Sequence, residues 1–378
     1  MADSVALVLG GGGARAAYQI GVLKALVQLY PRNHHIPFNI LCGTSAGAIN
    51  ATSLATHASC FHLGVKKLDW VWRHFHTGKV YKSSISGVTS HLLKMAVKGI
   101  QLDRISTDAG SLFDNQPLRE LLNQLIDFAR IDRNIINGAL DAISVDTSCY
   151  NNSHSYTFYQ GHESIGDWQR ARRNGIRTRL HTEHLLASSA IPMVFPSIAL
   201  NRNYFGDGSV HQLAPLSSPI HLGANKVFVI NLDSPHQQSH TELVHHPSTA
   251  TIAGHLLDTI FSDTLNSDLE RLERINKTLD LIEPKQRQQL GLRQIETLVF
   301  KPSEDLSEIA SRYYEEMPFA IRSLLKLIGI SKQSDSSIVS YLLFESSYTS
   351  ALIDLGYQDA MARIDEITDF FDISIHTP

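Results

Sequence analysis

The sequence predicts an α/β fold built on a mostly parallel central sheet. Residues 5–9 form a continuous apolar run that ends at four glycines, and the apolar run 38–42 ends at Gly43. Short apolar runs of this kind are typical of strands that a parallel sheet buries on both faces. Helical spacing or small residues follow each run, so strand, turn and helix occur twice near the N-terminus.

The remaining elements follow from local patterns. Residues 14–30 have the spacing of one helical face, and Pro31 ends the helix. Strand patterns occur at residues 139–145 and 156–159, where the polar turn between them predicts a hairpin at the sheet margin, and again at 226–232 and 297–301. Residues 60–135 and the stretch beyond 260 are mainly helical in pattern. We therefore expect an α/β domain over residues 4–235 and a mainly helical C-terminal extension over 236–378, packed on the core.

Composition excludes several function classes. The 378 residues carry 33 Lys and Arg against 37 Asp and Glu, a balance that gives no general attraction to nucleic acid. The three cysteines lack CxxC spacing, so neither a disulfide framework nor a zinc ribbon is expected. No apolar stretch approaches the roughly 18 residues that cross a bilayer, and residues 1–3 lack the basic start of a signal peptide. These observations favour a soluble protein of the cytoplasm.

The sequence Gly43-Thr44-Ser45-Ala46-Gly47 has the G-x-S-x-G pattern between a strand and a helix. In that context the pattern forms a nucleophile elbow, in which Gly43 and Gly47 permit the sharp turn and the close helix packing. Ser45 is therefore the candidate nucleophile. The alternative is an ordinary strand-to-helix turn in which Ser45 caps the helix.

The glycine cluster Gly10, Gly11, Gly12 and Gly13 supplies a second part of the candidate site. Consecutive glycines before a helix expose backbone N–H groups, which can stabilise the oxyanion of an acyl-transfer reaction. Gly11 and Gly12, together with the N–H of Ala46, are the strongest candidates. Arg15, on the first turn of the next helix, could fix the loop or contact a negatively charged head group.

Nucleotide binding is the rival interpretation of this loop. The spacing of Gly11, Gly13 and Ala16 matches a dinucleotide fingerprint, but no acidic residue lies between Asp3 and Asp69 to hold the ribose. A phosphate-cradling P-loop fails too, because no Lys-Ser/Thr pair follows the glycines. Nucleotide binding is therefore disfavoured.

Because no Asp or Glu occurs between Asp3 and Asp69, any carboxylate partner of Ser45 must come from far along the chain. Asp207 is such a candidate, since it lies between Gly206 and Gly208 after a short aromatic strand. An ordinary Asp-Gly turn is the alternative.

Taken together, four separated motifs resemble the patatin-like phospholipase family in order and spacing. They are the Gly10–Arg15 loop, the Ser45 elbow, Ala187-Ser188-Ser189-Ala190-Ile191-Pro192 with Phe195-Pro196, and Asp207-Gly208. The resemblance covers about residues 4–232. It implies a three-layer α/β/α fold and a Ser-Asp dyad without histidine, in which Ser45 attacks, Asp207 takes its proton and the Gly10–Gly13 loop stabilises the oxyanion.

The implied substrates are phospholipids, lysophospholipids or other fatty-acyl esters, and the resemblance implies no cofactor. Two positions depart from the family pattern: Ala16 replaces a usual glycine, and Ser209 follows Asp207-Gly208. Residues 250–378 also resemble, more weakly, an extension found in a bacterial subset of the family.

Histidines offer an alternative chemistry. His181, His184 or His211 could complete a Ser-His-Asp triad, although the elbow comes earlier in the chain than in α/β-hydrolases. For metals there is no H-E-x-x-H motif and the histidine pairs lack a third ligand, so we predict no metal site.

A lipid enzyme must also reach its substrate, and two stretches could form an interfacial surface. One is residues 319–330, with Ile321, Leu324 and Leu325 on one helical face, although helices of this kind more often pack on a core. The other is residues 92–98, a candidate lid. Residues 191–198 are expected to line an acyl pocket, and peripheral contact with a membrane is expected on this basis; the sequence leaves oligomerisation open.

Two hypotheses from different classes follow. The leading one is a serine acyl hydrolase that acts on lipids. The alternative is a lipid-binding or regulatory protein on the same fold that has lost turnover, which the Ser209 departure and the long C-terminal segment motivate.

Overall fold

The structure is a computed structural model, and it describes residues 4–83, 111–233, 235, 259, 264–283, 285–287, 292–327 and 337–373. The described strands are β1 (Val5–Leu9), β2 (Ile40–Thr44), β3 (Ala142–Cys149), β4 (His154–Gly161), β5 (Trp168–Arg170), β6 (Arg173–Arg177), β7 (Ile198–Leu200), β8 (Asn203–Asp207), β9 (Lys226–Ile230) and β10 (Glu296–Phe300).

The described α-helices are α1 (Ala17–Val27), α2 (Ala46–Thr56), α3 (Phe61–Arg73), α4 (Gln116–Leu125), α5 (Ala129–Ile136), α6 (Thr182–Ser188), α7 (Ser217–Leu222), α8 (Thr264–Asp280), α9 (Leu306–Arg312), α10 (Phe319–Leu327), α11 (Ile338–Leu342), α12 (Ser346–Ala362) and α13 (Ile364–Phe370).

One sheet organises these elements in the order β10-β9-β1-β2-β3-β4-β6-β5. The strands from β10 to β3 are parallel, and antiparallel pairing begins at β3 and β4. The predicted α/β class and the mostly parallel sheet are confirmed. The predicted hairpin is β3–β4, but its placement at the sheet margin was wrong, because β6 and β5 extend the sheet beyond it.

Helices cover both faces of the sheet and make the three-layer α/β/α arrangement. Leu7 and Leu9 of β1 face a large apolar core shared with α1, α2 and α3, whereas Ala6 and Val8 face a smaller core that includes residues of α7 and α8. This alternation is the period-2 geometry of a strand, and both sets are buried because helices lie on each side.

The C-terminal segment contributes to the same body. Its strand β10 pairs in parallel with β9, and α12 packs along α1. Gly21 and Gly356 allow that close approach, since a Cβ atom on Gly21 would lie 2.0 Å from the carbonyl oxygen of Ile353. The C-terminal helix α11 lies against the glycine loop at the end of β1, since a Cβ atom on Gly13 would be 2.3 Å from the carbonyl oxygen of Tyr341.

Candidate active site

Ser45 lies at the sharp turn between β2 and α2. Its backbone has φ 56° and ψ −129°, a left-handed φ that is unfavourable for a residue other than glycine. Strained conformations of this kind persist where the surrounding structure enforces them, and they concentrate at functional positions. Gly47 allows the start of α2 to approach β1 closely, because a Cβ atom there would lie 2.3 Å from the carbonyl oxygen of Leu9.

Asp207 is brought to Ser45 by the pairing of β3. The first part of β3 pairs with β2 as far as Thr44 opposite Asp146, and its last part pairs with β8, where Thr147 is opposite Asp207. Asp207 therefore stands where β2 ends. The Ser45 hydroxyl donates to Oδ2 of Asp207 at 2.6 Å. The structure thus brings together two candidate residues that are 162 positions apart in the sequence.

Burial decides the charge properties of this pair. Ser45 is 1% exposed and Asp207 is 0% exposed. Burial raises the pKa of Asp207 to about 6, while hydrogen bonds from Ser45 and Ser209 oppose the rise. At neutral pH the carboxylate is accordingly ionised and accepts the Ser45 hydroxyl. The backbone N–H of Ser209 donates to Oδ1 of Asp207 at 3.0 Å, a contact that does not depend on the identity of the side chain at position 209.

Ser188, which the sequence marks only as part of a motif, contacts the elbow. The Ser45 N–H donates to Ser188 Oγ at 2.9 Å, and the Ser188 hydroxyl donates to the carbonyl of Asp146 at 2.6 Å. Because a hydroxyl can accept and donate at once, Ser188 ties the strained elbow to β3.

The glycine loop lies beside the elbow. The N–H of Gly10 donates to the carbonyl of Ile230 at 3.2 Å, so this donor belongs to the sheet rather than to the site. Gly13 has φ 55° and lines the same pocket as Ser45 and Ala46. Ala46 is the first residue of α2, a position whose N–H has no intrahelical acceptor. Of the predicted oxyanion donors, the N–H groups of Gly11, Gly12 and Ala46 and that of Gly13 therefore remain candidates, whereas Gly10 does not.

Arg15 is turned away from solvent. It is 2% exposed, and its guanidinium donates to Ser340 Oγ at 2.7 Å, Tyr341 Oη at 3.0 Å and Ser307 Oγ at 2.9 Å. It also lies 4.0 Å from the centre of the Tyr341 ring. This burial favours the loop-fixing alternative for Arg15 over contact with a lipid head group.

An apolar pocket opens at Ser45. Its empty space, including the part open to solvent, is about 790 Å³. Helices α2, α3 and α4 form most of its walls. Ile191 and Phe195 from the predicted acyl-pocket segment also line it, as does Phe344 from the C-terminal segment.

The histidine and metal alternatives find no support in the described residues. The hydroxyl of Ser45 hydrogen-bonds to Asp207 and to no imidazole there. His184 instead contacts His181 and the ring of Phe158. Across the part of the chain that the structure describes, no cluster of three metal-binding side chains occurs.

Of the two candidate interfacial stretches, the structure describes most of residues 319–330 and none of residues 92–98. On α10, Ile321, Leu324 and Leu325 are buried, so this helix face packs on the core. The candidate lid at residues 92–98 lies outside the described residues. Within the described ranges, no helix combines the length and apolar character needed to cross a membrane.

Comparisons with known proteins find similarity to patatin-like phospholipases and to a lysophospholipase. A family model described as patatin-like phospholipase matches residues 7–220. The chain is 38% identical over 68 residues to patatin-like phospholipase domain-containing protein 7 of Rattus norvegicus, which is 18% of this chain and 5% of that protein. It is 51% identical over 55 residues to lysophospholipase nte1 of Aspergillus terreus, which is 15% of this chain and 3% of that protein. The chain thus spans only a small part of the length of these relatives.

Two solved structures are also similar to the chain. VipD from Legionella pneumophila aligns with a TM-score of 0.41 at 12% identity, over 96% of this chain and 67% of that one. The type III effector protein ExoU, from Pseudomonas aeruginosa, aligns with a TM-score of 0.35 at 13% identity, over 96% of this chain and 53% of that one.

Proposed function

Since the chain belongs to the patatin-like phospholipase family, we propose that it is a serine acyl hydrolase that cleaves fatty-acyl esters with Ser45 and Asp207 as a catalytic dyad. The observation that carries the proposal is the 2.6 Å hydrogen bond from Ser45 Oγ to Asp207 Oδ2 at one end of an apolar pocket. A buried nucleophile with an adjacent ionised base is the arrangement that covalent acyl transfer needs.

The first half of the reaction forms an acyl-enzyme. Asp207 takes the proton of the Ser45 hydroxyl while Oγ attacks the ester carbonyl, and the carbonyl oxygen becomes an oxyanion. Backbone N–H groups of Gly11, Gly12, Gly13 and Ala46 are the proposed donors to that oxyanion. Collapse of the tetrahedral intermediate expels the alcohol, which receives the proton from Asp207, and leaves the acyl group on Ser45.

The second half returns the enzyme to its starting state. Asp207 removes a proton from water as the water oxygen attacks the acyl carbonyl, and the same N–H groups stabilise the second oxyanion. When that intermediate collapses, Ser45 Oγ leaves and regains a proton through Asp207. The products are a fatty acid and an alcohol, and no step uses a histidine.

The pocket supports a substrate with a fatty-acyl chain, and phospholipids or lysophospholipids are the proposed class. Leu118, Leu122 and Ile126 on and after α4 line the pocket, together with Ile49 of α2 and Leu68 of α3. Burying methylene groups against such walls is favourable by about 0.8 kcal/mol each. Arg15 has the role of fixing the oxyanion loop in this proposal.

We propose that contact with a lipid surface is peripheral. Met193 is 76% exposed and lies two residues before Phe195, which lines the pocket. Peripheral contact would place this exposed apolar side chain in the lipid surface beside the pocket wall. The cytoplasm is the proposed location.

Hydrolysis assays test the function. Wild type, Ser45→Ala and Asp207→Asn would be incubated with lysophosphatidylcholine and with p-nitrophenyl butyrate, and released fatty acid or nitrophenol would be measured. Turnover by wild type and its loss by at least about a thousandfold in each variant is expected. Full turnover by a folded Ser45→Ala protein would refute the assignment of the nucleophile.

A further inference from the structure

A second buried carboxylate, Asp146, lies directly behind the dyad. It is on β3, opposite Thr44 of β2, and is 3% exposed. Burial raises the pKa of Asp146 to about 6, and four hydrogen bonds from neutral side chains oppose the rise. In the described part of the chain no Lys or Arg forms an ion pair with it. A buried charge held only by neutral donors needs a reason, because its desolvation is costly.

The hydrogen bonds of Asp146 reach several elements. Thr157 Oγ1 on β4 donates to Oδ1 at 2.5 Å, and Ser218 Oγ on α7 donates to the same oxygen at 3.0 Å. Gln212 Nε2 donates to Oδ2 at 2.8 Å, and Thr44 Oγ1 lies 3.4 Å from Oδ2. A carboxylate has about four acceptor positions, so it can hold this set of donors, whereas an amide side chain has only one acceptor oxygen.

Two of those donors belong to the segments that carry the dyad. Thr44 immediately precedes Ser45, and Gln212 lies five residues after Asp207. Gln212 Nε2 also approaches Thr44 Oγ1 at 3.0 Å, which closes a triangle of three side chains. The Asp146 carboxylate therefore joins the strand that presents the nucleophile to the loop that follows the base.

The main chain around Asp146 makes parallel links. Its carbonyl accepts the hydroxyl of Ser188, which in turn accepts the N–H of Ser45. Gly208 lies so close that a Cβ atom there would be 2.3 Å from the same carbonyl oxygen. The Asp146 carbonyl therefore contacts the segments of both dyad residues, Ser45 through Ser188 and Asp207 through Gly208.

Asp146 does not take part in the pocket. Its neighbours Thr157, Gln212 and Ser218 line a separate small cleft with it. Ala142, two alternations earlier on β3, belongs to the smaller core, whereas Val145 belongs to the core on the pocket side. The period-2 geometry of the strand therefore directs the Asp146 side chain to the sheet face opposite the acyl pocket.

We propose that Asp146 is a positioning residue that holds Ser45 and Asp207 in hydrogen-bonding register through Thr44 and Gln212. This inference rests on the proposed dyad and adds a residue that does not touch substrate. A misplacement of reacting groups by about 1 Å can cost on the order of a hundredfold in rate. Loss of the Asp146 link is therefore expected to lower kcat by about 10- to 100-fold with little change in KM, since the pocket is on the other face.

The test compares Asp146→Asn, Thr44→Val and Gln212→Leu with wild type. Asp268→Asn is the matched control, because Asp268 is another buried carboxylate whose pKa burial raises, and its contacts with the Leu216 N–H at 2.9 Å and with Arg271 at 3.8 Å involve neither Ser45 nor Asp207. The readouts are kcat and KM for p-nitrophenyl butyrate, the rate of labelling of Ser45 by a fluorophosphonate, and the thermal midpoint. Thr44→Val and Gln212→Leu keep the test decisive if Asp146→Asn does not fold.

The proposal expects all three test variants to lose kcat and labelling rate at unchanged KM, with the control within about twofold of wild type. The double variant Asp146→Asn/Thr44→Val should lose less than the product of the single losses, since both remove one link. Folded variants with wild-type kcat, or losses seen only in KM, would overturn the proposal while leaving the dyad intact. Absence of turnover and labelling in wild type would overturn the dyad itself, and with it the role of Asp146.

Discussion

Replacing Asp207 with asparagine should abolish turnover and, above about pH 6, make the fold more stable. The Asp207 carboxylate is fully buried, and burial raises its pKa from the ordinary 3.8 to about 6. The difference corresponds to about 3 kcal/mol of destabilisation by the ionised form relative to the protonated one. Asparagine avoids that cost and can keep both contacts, because its oxygen can accept the Ser209 N–H and its amide can donate to Ser45 Oγ.

The sign of the pH dependence follows from linkage. Between about pH 4 and pH 6 the folded protein keeps a proton on Asp207 that the unfolded chain has already lost, so the free energy of unfolding falls as the pH rises. Above about pH 6 the full penalty is present, and below about pH 4 it vanishes because both states are protonated. Asp146 titrates in a similar range, but its contribution is common to wild type and variant and cancels in their difference.

Urea unfolding followed by tryptophan fluorescence at pH values from 4 to 8 measures this difference. We expect Asp207→Asn to be more stable than wild type by about 2–3 kcal/mol at pH 8, with the gain disappearing towards pH 4. Glu163→Gln, at an exposed position, controls for the loss of one negative charge and should leave the midpoint unchanged. A variant that is equally stable or less stable at pH 8 would refute the account of Asp207 as a desolvated carboxylate.

Three further predictions concern the pH profile, the glycine loop and the acyl pocket. First, kcat for p-nitrophenyl butyrate should rise as the pH increases through about 6, because Asp207 must be ionised to take a proton; a flat profile from pH 5 to 8 would contradict this. Second, Gly13→Ala should lower kcat at least about tenfold and reduce the thermal midpoint. Gly13 has φ +55°, and the added Cβ atom would lie 2.3 Å from the Tyr341 carbonyl oxygen. Wild-type kinetics would show that the loop tolerates a shift. Third, Ser53→Trp should slow hydrolysis of long-chain lysophosphatidylcholine but not of p-nitrophenyl acetate. The reason is that Ser53 lines the pocket about 10 Å along α2 from Ala46. Equal losses on both substrates would count against the pocket as the acyl site.

The parts of the site that the sequence predicts are those with a local physical signature. A serine flanked by glycines between a strand and a helix favours a sharp elbow over an ordinary capped turn, and Ser45 has the strained φ that the elbow requires. Asp207 had no such signature, because an Asp-Gly pair also suits an ordinary turn; the family resemblance supplied the link. The structure adds the reason for their meeting, which is that β2 and β8 pair with successive parts of β3.

Contacts between distant segments were beyond sequence reasoning. The Arg15 guanidinium donates to Ser307, Ser340 and Tyr341, which are about 300 positions away in the chain. No local sequence pattern marks these three residues as its partners. Asp146 is hidden for a similar reason, since its four donors come from separate elements. The α10 helix has an amphipathic pattern that suits either a lipid surface or a protein core, and only the packing of Ile321 and its neighbours distinguishes the two.

Intact-mass analysis after treatment with a fluorophosphonate shows directly whether Ser45 is the nucleophile. We expect a single adduct on wild type, located on Ser45 by peptide mapping, with no adduct on Ser45→Ala and strongly slowed labelling of Asp207→Asn. A folded wild-type protein that forms no adduct, or one that is labelled at another residue, would contradict the dyad and favour a lipid-binding role for the pocket.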